Sequence, residues 1–280
     1  MGSLQTKKIG EYHEVFKDRE LTFSRDIVGA TGLLAEQVQL KCGSDFWPCL
    51  LYAASFRKAK VVVNVNSGII EKVKKGNNLV SLRLSFRSQD GKGNSLTFFM
   101  AARAAGISPY RGSSEVVVLS LQFGQRPPDD FIAIIGRVLD ASLNSARMQD
   151  RKLRITPEAV KRLGLVSAEA VLFVQKVPRR CLLRDLSFAG SRLVLMGVGK
   201  FLVDREASLR VDFEEPAESF LIPGKVVSTE EIPDKQGMAC IELEFAPATV
   251  PLGYKIRLNE YVNTVRADTR GRDAKTAEPK

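Results

Sequence analysis

Histidine is nearly missing from this 280-residue chain: His13 is the only one, and tryptophan is equally scarce, with Trp47 alone. A single histidine far from any recognisable nucleophile motif leaves no parts for a Ser-His-Asp or Cys-His catalytic arrangement. It also leaves no histidine cluster for a metal. The four cysteines, Cys42, Cys49, Cys181 and Cys240, form no C-x-x-C pair and sit in apolar, strand-like contexts, so they read as reduced core thiols. No apolar run approaches the ~20 residues of a membrane helix, and residues 1–8 lack the apolar segment of a secretory signal; the expected location is the cytoplasm, without membrane insertion. No Walker-type glycine loop is present. No repeat of fixed period marks a solenoid or propeller. The expectation is a protein that is not an enzyme, with no catalytic residues, no metal and no cofactor.

What the chain does have is a globular composition, 44% hydrophobic and 26% charged, and a formal charge of +10. That length suits one large or two ordinary domains. The positive charge favours anionic partners, whether nucleotide, nucleic acid or an acidic protein face. The sequence shows no basic cluster interleaved with exposed aromatics and no nucleic-acid-reading motif. The densest basic run, Lys72-Val73-Lys74-Lys75, reads as the solvated end of a short amphipathic helix.

Residues 3–20 place Ile9, Tyr12, Val15 and Phe16 at helical spacing and predict a first helix. From Gln37 the pattern becomes β-branched and aromatic: runs 38–42, 46–54, 60–65, 79–86, 96–102 and 116–123 predict strands, with a hairpin tip at 90–94. The first half is therefore expected to be a mostly antiparallel, barrel-like domain, with Trp47, Phe56, Phe98 and Phe99 in its core. Pro127-Pro128-Asp129-Asp130 then opens a helix, with Phe131, Ile134, Ile135, Val138 and Leu139 on one face. Residues 140–150 are small and polar and read as a linker.

In the second half, runs 152–155, 170–176, 180–186, 192–196, 208–213, 221–230 and 238–245 predict a closed β-barrel, with a short helix at 157–163. A terminal helix is expected over 252–265, with Tyr254, Leu258, Tyr261 and Val265 on the face that plugs the barrel. Residues 266–280, almost without apolar content beyond alanine, predict a disordered tail.

Two short motifs organise this half. Arg147-Met148-Gln149-Asp150-Arg151 is an RxxxR, and Asp185-Leu186-Ser187-Phe188-Ala189-Gly190 is a DxSxxG. Each guanidinium is a planar fork able to clamp phosphate, lie on a base or address guanine O6 and N7. Asp185 is acceptor-only when ionised and suits the N–H donors on the other edge of guanine, while the Ser187 hydroxyl can donate to a phosphate oxygen. Gly190 allows close backbone approach. The same residues also read as a capped tight turn, with two arginines ending a helix at its negative pole. On residue chemistry alone the turn reading is the stronger.

The order and spacing of the two motifs resemble, at all five signature positions, those of the PilZ domain, a bacterial receptor module for cyclic di-GMP. Residues 125–130 and the apolar helix after them resemble the end of the N-terminal domain in two-domain PilZ proteins. The resemblance implies a mainly β fold of two barrel-like domains: an N-terminal PilZ-like domain at 1–140, a linker at 141–151 carrying RxxxR, a C-terminal PilZ barrel at 152–265 with its terminal helix, and the tail. It implies that Arg147 and Arg151 grip guanine and phosphate, and that Asp185, Ser187 and Gly190 form the opposing surface. The implied function is a cyclic di-GMP receptor that couples binding to a change in inter-domain arrangement, and so to motility, virulence or gene regulation through a downstream protein or nucleic acid. The alternative is a nucleic-acid- or protein-binding regulatory module acting through a basic N-terminal domain. A second RxxxR, from Arg180 to Arg184, precedes the DxSxxG and is assigned to a strand, where residues four apart share a face.

Overall fold

The structure is a computed structural model that describes residues 2–88, 94–214, 216–233, 235 and 237–276. The chain divides into two compact units, Met1–Asp140 and Ala141–Lys280.

The first unit is an eight-stranded antiparallel sheet. Its strands are β1 (Leu21–Thr22), β2 (Gln39–Cys42), β3 (Asp45–Pro48), β4 (Leu50–Ala54), β5 (Lys58–Asn64), β6 (Leu79–Arg87), β7 (Ser95–Pro109) and β8 (Val116–Phe123), in the spatial order β1-β4-β5-β8-β7-β6-β2-β3. Helices α1 (Gly2–Phe16), α2 (Arg25–Thr31), α3 (Ile69–Lys75) and α4 (Asp129–Arg147) accompany it. Alternation of buried and exposed residues along β5, β6 and β8 turns Val61, Leu82, Leu84 and Leu119 inward. Phe131 of α4 is fully buried and meets Phe56, Phe86 and Phe98 edge-on at ring separations of 6.2–6.4 Å, geometries that add to area burial. Gly136 lets α1 approach α4, since a Cβ there would fall 2.3 Å from a ring carbon of Tyr12.

Several elements depart from expectation. The run at 46–54 is two strands: Pro48, which has no N–H to give, ends β3, and β4 pairs elsewhere, with β1 and β5. Strand β7 is twice its expected length because a bulge between Ala104 and Gly106 continues its pairing with β8. Helix α2 was not expected; Ser24 caps its start by accepting from the Ile27 N–H, and Gly32 ends it at φ 72°. Phe99, expected in the core, is 54% exposed. The expected hairpin tip lies, apart from Asn94, outside the described residues.

The second unit holds β9 (Leu153–Arg154), α5 (Pro157–Leu163), β10 (Glu169–Val174), β11 (Val177–Leu186), β12 (Gly190–Met196), β13 (Glu206–Phe213), β14 (Glu218–Glu231), β15 (Met238–Phe245) and α6 (Leu252–Thr276). The order β10-β13-β14-β15-β12-β11 is closed by pairing of β10 with β11, giving a six-stranded barrel with β9 added along the end of β11. Closure removes free sheet edges. Leu172, Leu193, Leu209, Val211, Ile222, Ile241 and Leu243 fill the interior, and Tyr254, Leu258 and Val262 of α6 join the same core. Helix α6 runs to Thr276, not ending at Val265 as expected; alanine and arginine are good helix formers and no proline intervenes.

Residues 140–147, expected as linker, are the last two turns of α4. Their polar side chains do not stop a helix that has neither glycine nor proline after Gly136 and whose Ala141 is fully buried. All four cysteines are free thiols; burial pushes Cys49 up to about 12 and Cys181 up to about 11, which keeps both unreactive. Among the described residues no helix is long and apolar enough to cross a membrane, and no group of three potential metal ligands occurs.

Candidate functional site

A short ladder in the second unit lays the segment that follows RxxxR along the strand that opens the DxSxxG. Strand β9 pairs antiparallel with the end of β11, Leu153 opposite Leu186 and Arg154 opposite Asp185, so the chain leaving Arg151 is laid beside the start of the DxSxxG. The Ile155 N–H donates to the Arg184 carbonyl at 3.0 Å and extends this contact. Between the two arginines, Met148 packs against the barrel core, and the Arg151 N–H donates to the Met148 carbonyl at 3.1 Å. Arg147 is exposed at the last position of α4 and Arg151 is half-buried. Among the described residues, neither they nor Arg154 has an ion-pair partner.

Asp185 is 2% exposed. Its carboxylate accepts from the Arg192 backbone N–H at 3.2 Å and, through the other oxygen, from Arg192 Nε–H in a short ion pair. That partnership holds the Arg192 guanidinium above its ordinary pKa. The register explains it: a bulge at Arg184 shifts β11 by one residue against β12, so that Leu183 faces Leu193 and Asp185 faces Arg192. Arg180 and Arg184 are both exposed on β11, as expected for residues four apart on a strand.

Ser187 builds the turn. Its hydroxyl donates to the Gly190 carbonyl at 2.9 Å and accepts from the Gly190 N–H at 2.9 Å and the Ala189 N–H at 3.3 Å, while the Ser187 N–H donates to the Gly190 carbonyl at 2.8 Å. From below, the buried Tyr254 hydroxyl donates to the Ser187 carbonyl at 2.9 Å. Gly190 is required by the barrel itself, since a Cβ there would lie 2.4 Å from the Leu243 carbonyl oxygen on β15. The turn-and-cap reading of Asp185, Ser187 and Gly190 thus describes their present contacts.

Around Asp185, a hollow of about 170 Å³ is lined by Lys152, Arg154, Arg184, Asp185 and Arg192. Lys152 pairs with Glu242 at 2.8 Å; Glu242, opposite Arg192 on β15, is held below its ordinary pKa first by that hydrogen bond. Arg154, Asp185, Arg192 and Glu242 therefore form one row of registered positions across β9, β11, β12 and β15. Sequence reasoning missed Lys152, Arg154 and Arg192; the signal was available only as register. A larger cavity, about 940 Å³, lies elsewhere on the barrel, over Phe173, Leu221 and Pro223, and mixes Lys176 and Lys225 with Glu206 and Glu244. It contains no motif residue, and its mixed charge makes it the weaker anion site despite its size.

Comparison with known proteins adds four findings. Residues 7–142 match the PilZN3 domain family. A protein of Treponema denticola named as a cyclic di-GMP binding protein is 35% identical over 267 residues, spanning 95% of this chain and 85% of that one. Among solved structures, Borreliella burgdorferi PlzA in complex with c-di-GMP is 22% identical, covering 92% of this chain and 99% of its own with a TM-score of 0.42. The Bacillus subtilis inhibitor of motility is 12% identical, covering 84% and 98% with a TM-score of 0.33.

Proposed function

The chain belongs to the family of two-domain PilZ proteins, and from that premise we propose that it is a cyclic di-GMP receptor rather than an enzyme. The observation that carries the reading is the β9–β11 ladder, which lays beside the start of the Asp185–Gly190 turn a segment whose Arg147, Arg151 and Arg154 have no ion-pair partner among the described residues. Arg147 and Arg151 supply charge-assisted, bidentate contacts to phosphate and guanine. Asp185 offers the acceptor for guanine N–H groups, and the turn built by Ser187 and Gly190 forms the floor. The 1–140 segment serves as the N-terminal PilZ-like domain, 141–151 as the connection carrying RxxxR, and 152–265 as the PilZ domain, in a cytoplasmic bacterial protein. Binding changes the arrangement of the two domains and is read by a downstream protein or nucleic acid in motility, virulence or gene regulation.

Calorimetric titration of the full chain with cyclic di-GMP, with cyclic di-AMP and GTP as controls, tests the first step. Saturable binding of cyclic di-GMP alone is expected; equal binding of all three would reduce the site to an unselective anion patch. Small-angle scattering with and without saturating ligand tests the second, and an unchanged profile would leave a receptor without that coupling.

One observation favours interaction with nucleic acid through the first unit as a second reading. Phe46 and Phe99, each about half exposed, lie under Lys41 Nζ at 5.3 Å and the Arg83 guanidinium at 6.0 Å, a basic and aromatic interleaving suited to stacked bases. Binding of a single-stranded oligonucleotide that weakens steeply with salt and is lost on Phe99→Ala would support it.

A further inference from the structure

The RxxxR and DxSxxG motifs leave Arg192 without a role, although it makes the closest contact of any residue to Asp185. Its Nε–H and backbone N–H hold the carboxylate, yet its side chain remains 38% exposed and lines the hollow beside Arg154 and Arg184. A buried carboxylate held from two directions keeps a fixed orientation. The guanidinium has further N–H donors beyond Nε, in a planar fork.

The charge around the hollow is unbalanced. Lys152, Arg154, Arg184 and Arg192 bring four positive charges, against the two carboxylates of Asp185 and Glu242. The ion pairs neutralise Lys152 and Arg192 formally, and Arg154 and Arg184 remain in excess. A volume of about 170 Å³ is below that of a whole-ligand pocket but is enough for one phosphodiester group.

We propose that Arg192 is a further ligand-contacting arginine of the nucleotide site, beyond the two of RxxxR, fixing the Asp185 carboxylate through Nε–H while its remaining donors, with Arg154 and Arg184, receive a phosphodiester of the dinucleotide. The proposal rests on the receptor reading and extends it. It makes one side chain responsible for two properties: phosphate affinity, through its charge, and guanine selectivity, through the orientation of Asp185. Substitutions can separate the two. Glutamine removes the charge but can still donate an amide N–H to Asp185; lysine keeps the charge but has no planar fork.

The test is calorimetric titration of wild type, R192Q, R192K and R180A with cyclic di-GMP and cyclic di-AMP at two salt concentrations, with circular dichroism confirming the fold of each variant. R192A is avoided as the main probe because it would leave the buried Asp185 carboxylate without a partner. R192Q is expected to bind cyclic di-GMP ten- to hundred-fold more weakly than wild type, with a shallower salt dependence because one cation has gone. R192K is expected to recover the salt dependence but not the full preference for cyclic di-GMP over cyclic di-AMP. R180A, on the same strand but outside the hollow, should match wild type. Binding by folded R192Q within twofold of wild type, or a loss that leaves the salt dependence unchanged, would overturn the ligand contact while leaving the receptor reading intact. Absence of binding in wild type would overturn the receptor reading and this inference with it.

Discussion

Replacing Gly190 by alanine separates a residue needed by the ligand from one needed by the barrel. A Cβ at this position would lie 2.4 Å from the Leu243 carbonyl oxygen and 3.5 Å from the Glu244 Cα, both of them backbone atoms of β15 that cannot rotate away. Strand β12 would have to move off β15 where Gly190 faces Glu244. Overpacking of this kind costs about 1–3 kcal/mol. The movement also strains the bond from the Phe245 N–H to the Ala189 carbonyl at 2.7 Å and the one from the Ser187 N–H to the Gly190 carbonyl at 2.8 Å, each worth about 1 kcal/mol. A total of roughly 3–5 kcal/mol follows. Trp47, the only tryptophan, lies in the first unit, so its fluorescence reports that unit while far-ultraviolet circular dichroism follows both. In urea, Gly190→Ala should move the dichroism transition to lower denaturant while the tryptophan transition holds its midpoint. A variant that unfolds like wild type but has lost cyclic di-GMP would refute the argument and return the glycine to ligand approach alone.

Arg147→Ala and Arg151→Ala should each weaken cyclic di-GMP binding by about 1.5–3 kcal/mol in calorimetry, with unfolding midpoints unchanged, because neither side chain has an ion-pair partner among the described residues. Tyr254→Phe keeps the ring and its edge contact with Phe245 but strips the buried Ser187 carbonyl of a donor; a loss of about 1–3 kcal/mol and faster amide exchange at Ala189 and Gly190 are expected. Glu242 is held below its usual value of 4.5 by Lys152, so its contribution is complete above that value and is lost as pH falls through the lowered one. At 41% exposure, screening keeps the contribution to about 0–1 kcal/mol, and the stability difference between wild type and Glu242→Gln should vanish on acidification below pH 4.5.

Much of the strand pattern was legible because alternation leaves a direct mark: residues 116–123 and 238–245 become β8 and β15 at those bounds, and Pro157–Leu163 becomes α5 behind its Thr156 cap. What failed was reading polarity as irregularity. Asp140, Ser142, Asn144 and Ser145 look like linker, yet the run holds no glycine or proline, buries Ala141, and continues α4 to Arg147. Polar composition marks a solvent face and does not by itself end a helix. The exposure of Phe99 was hidden for a related reason: an aromatic in a strand is assigned to the core by type, whereas the strand's parity decides its face.

The site shows the limit more sharply. A motif records residues by their separation along one chain, and so it could join Asp185 to Ser187 and Gly190 but not to Arg192. The contact between Asp185 and Arg192 depends on a one-residue bulge at Arg184; without it, β11 would slip by one position against β12 and the carboxylate would face a different residue. The same bulge turns both Arg184 and Asp185 toward the hollow, where Arg154 arrives from β9. The cationic character of this surface is therefore a product of strand register across β9, β11 and β12, and the arginines that the motif does not name are the ones that register supplies.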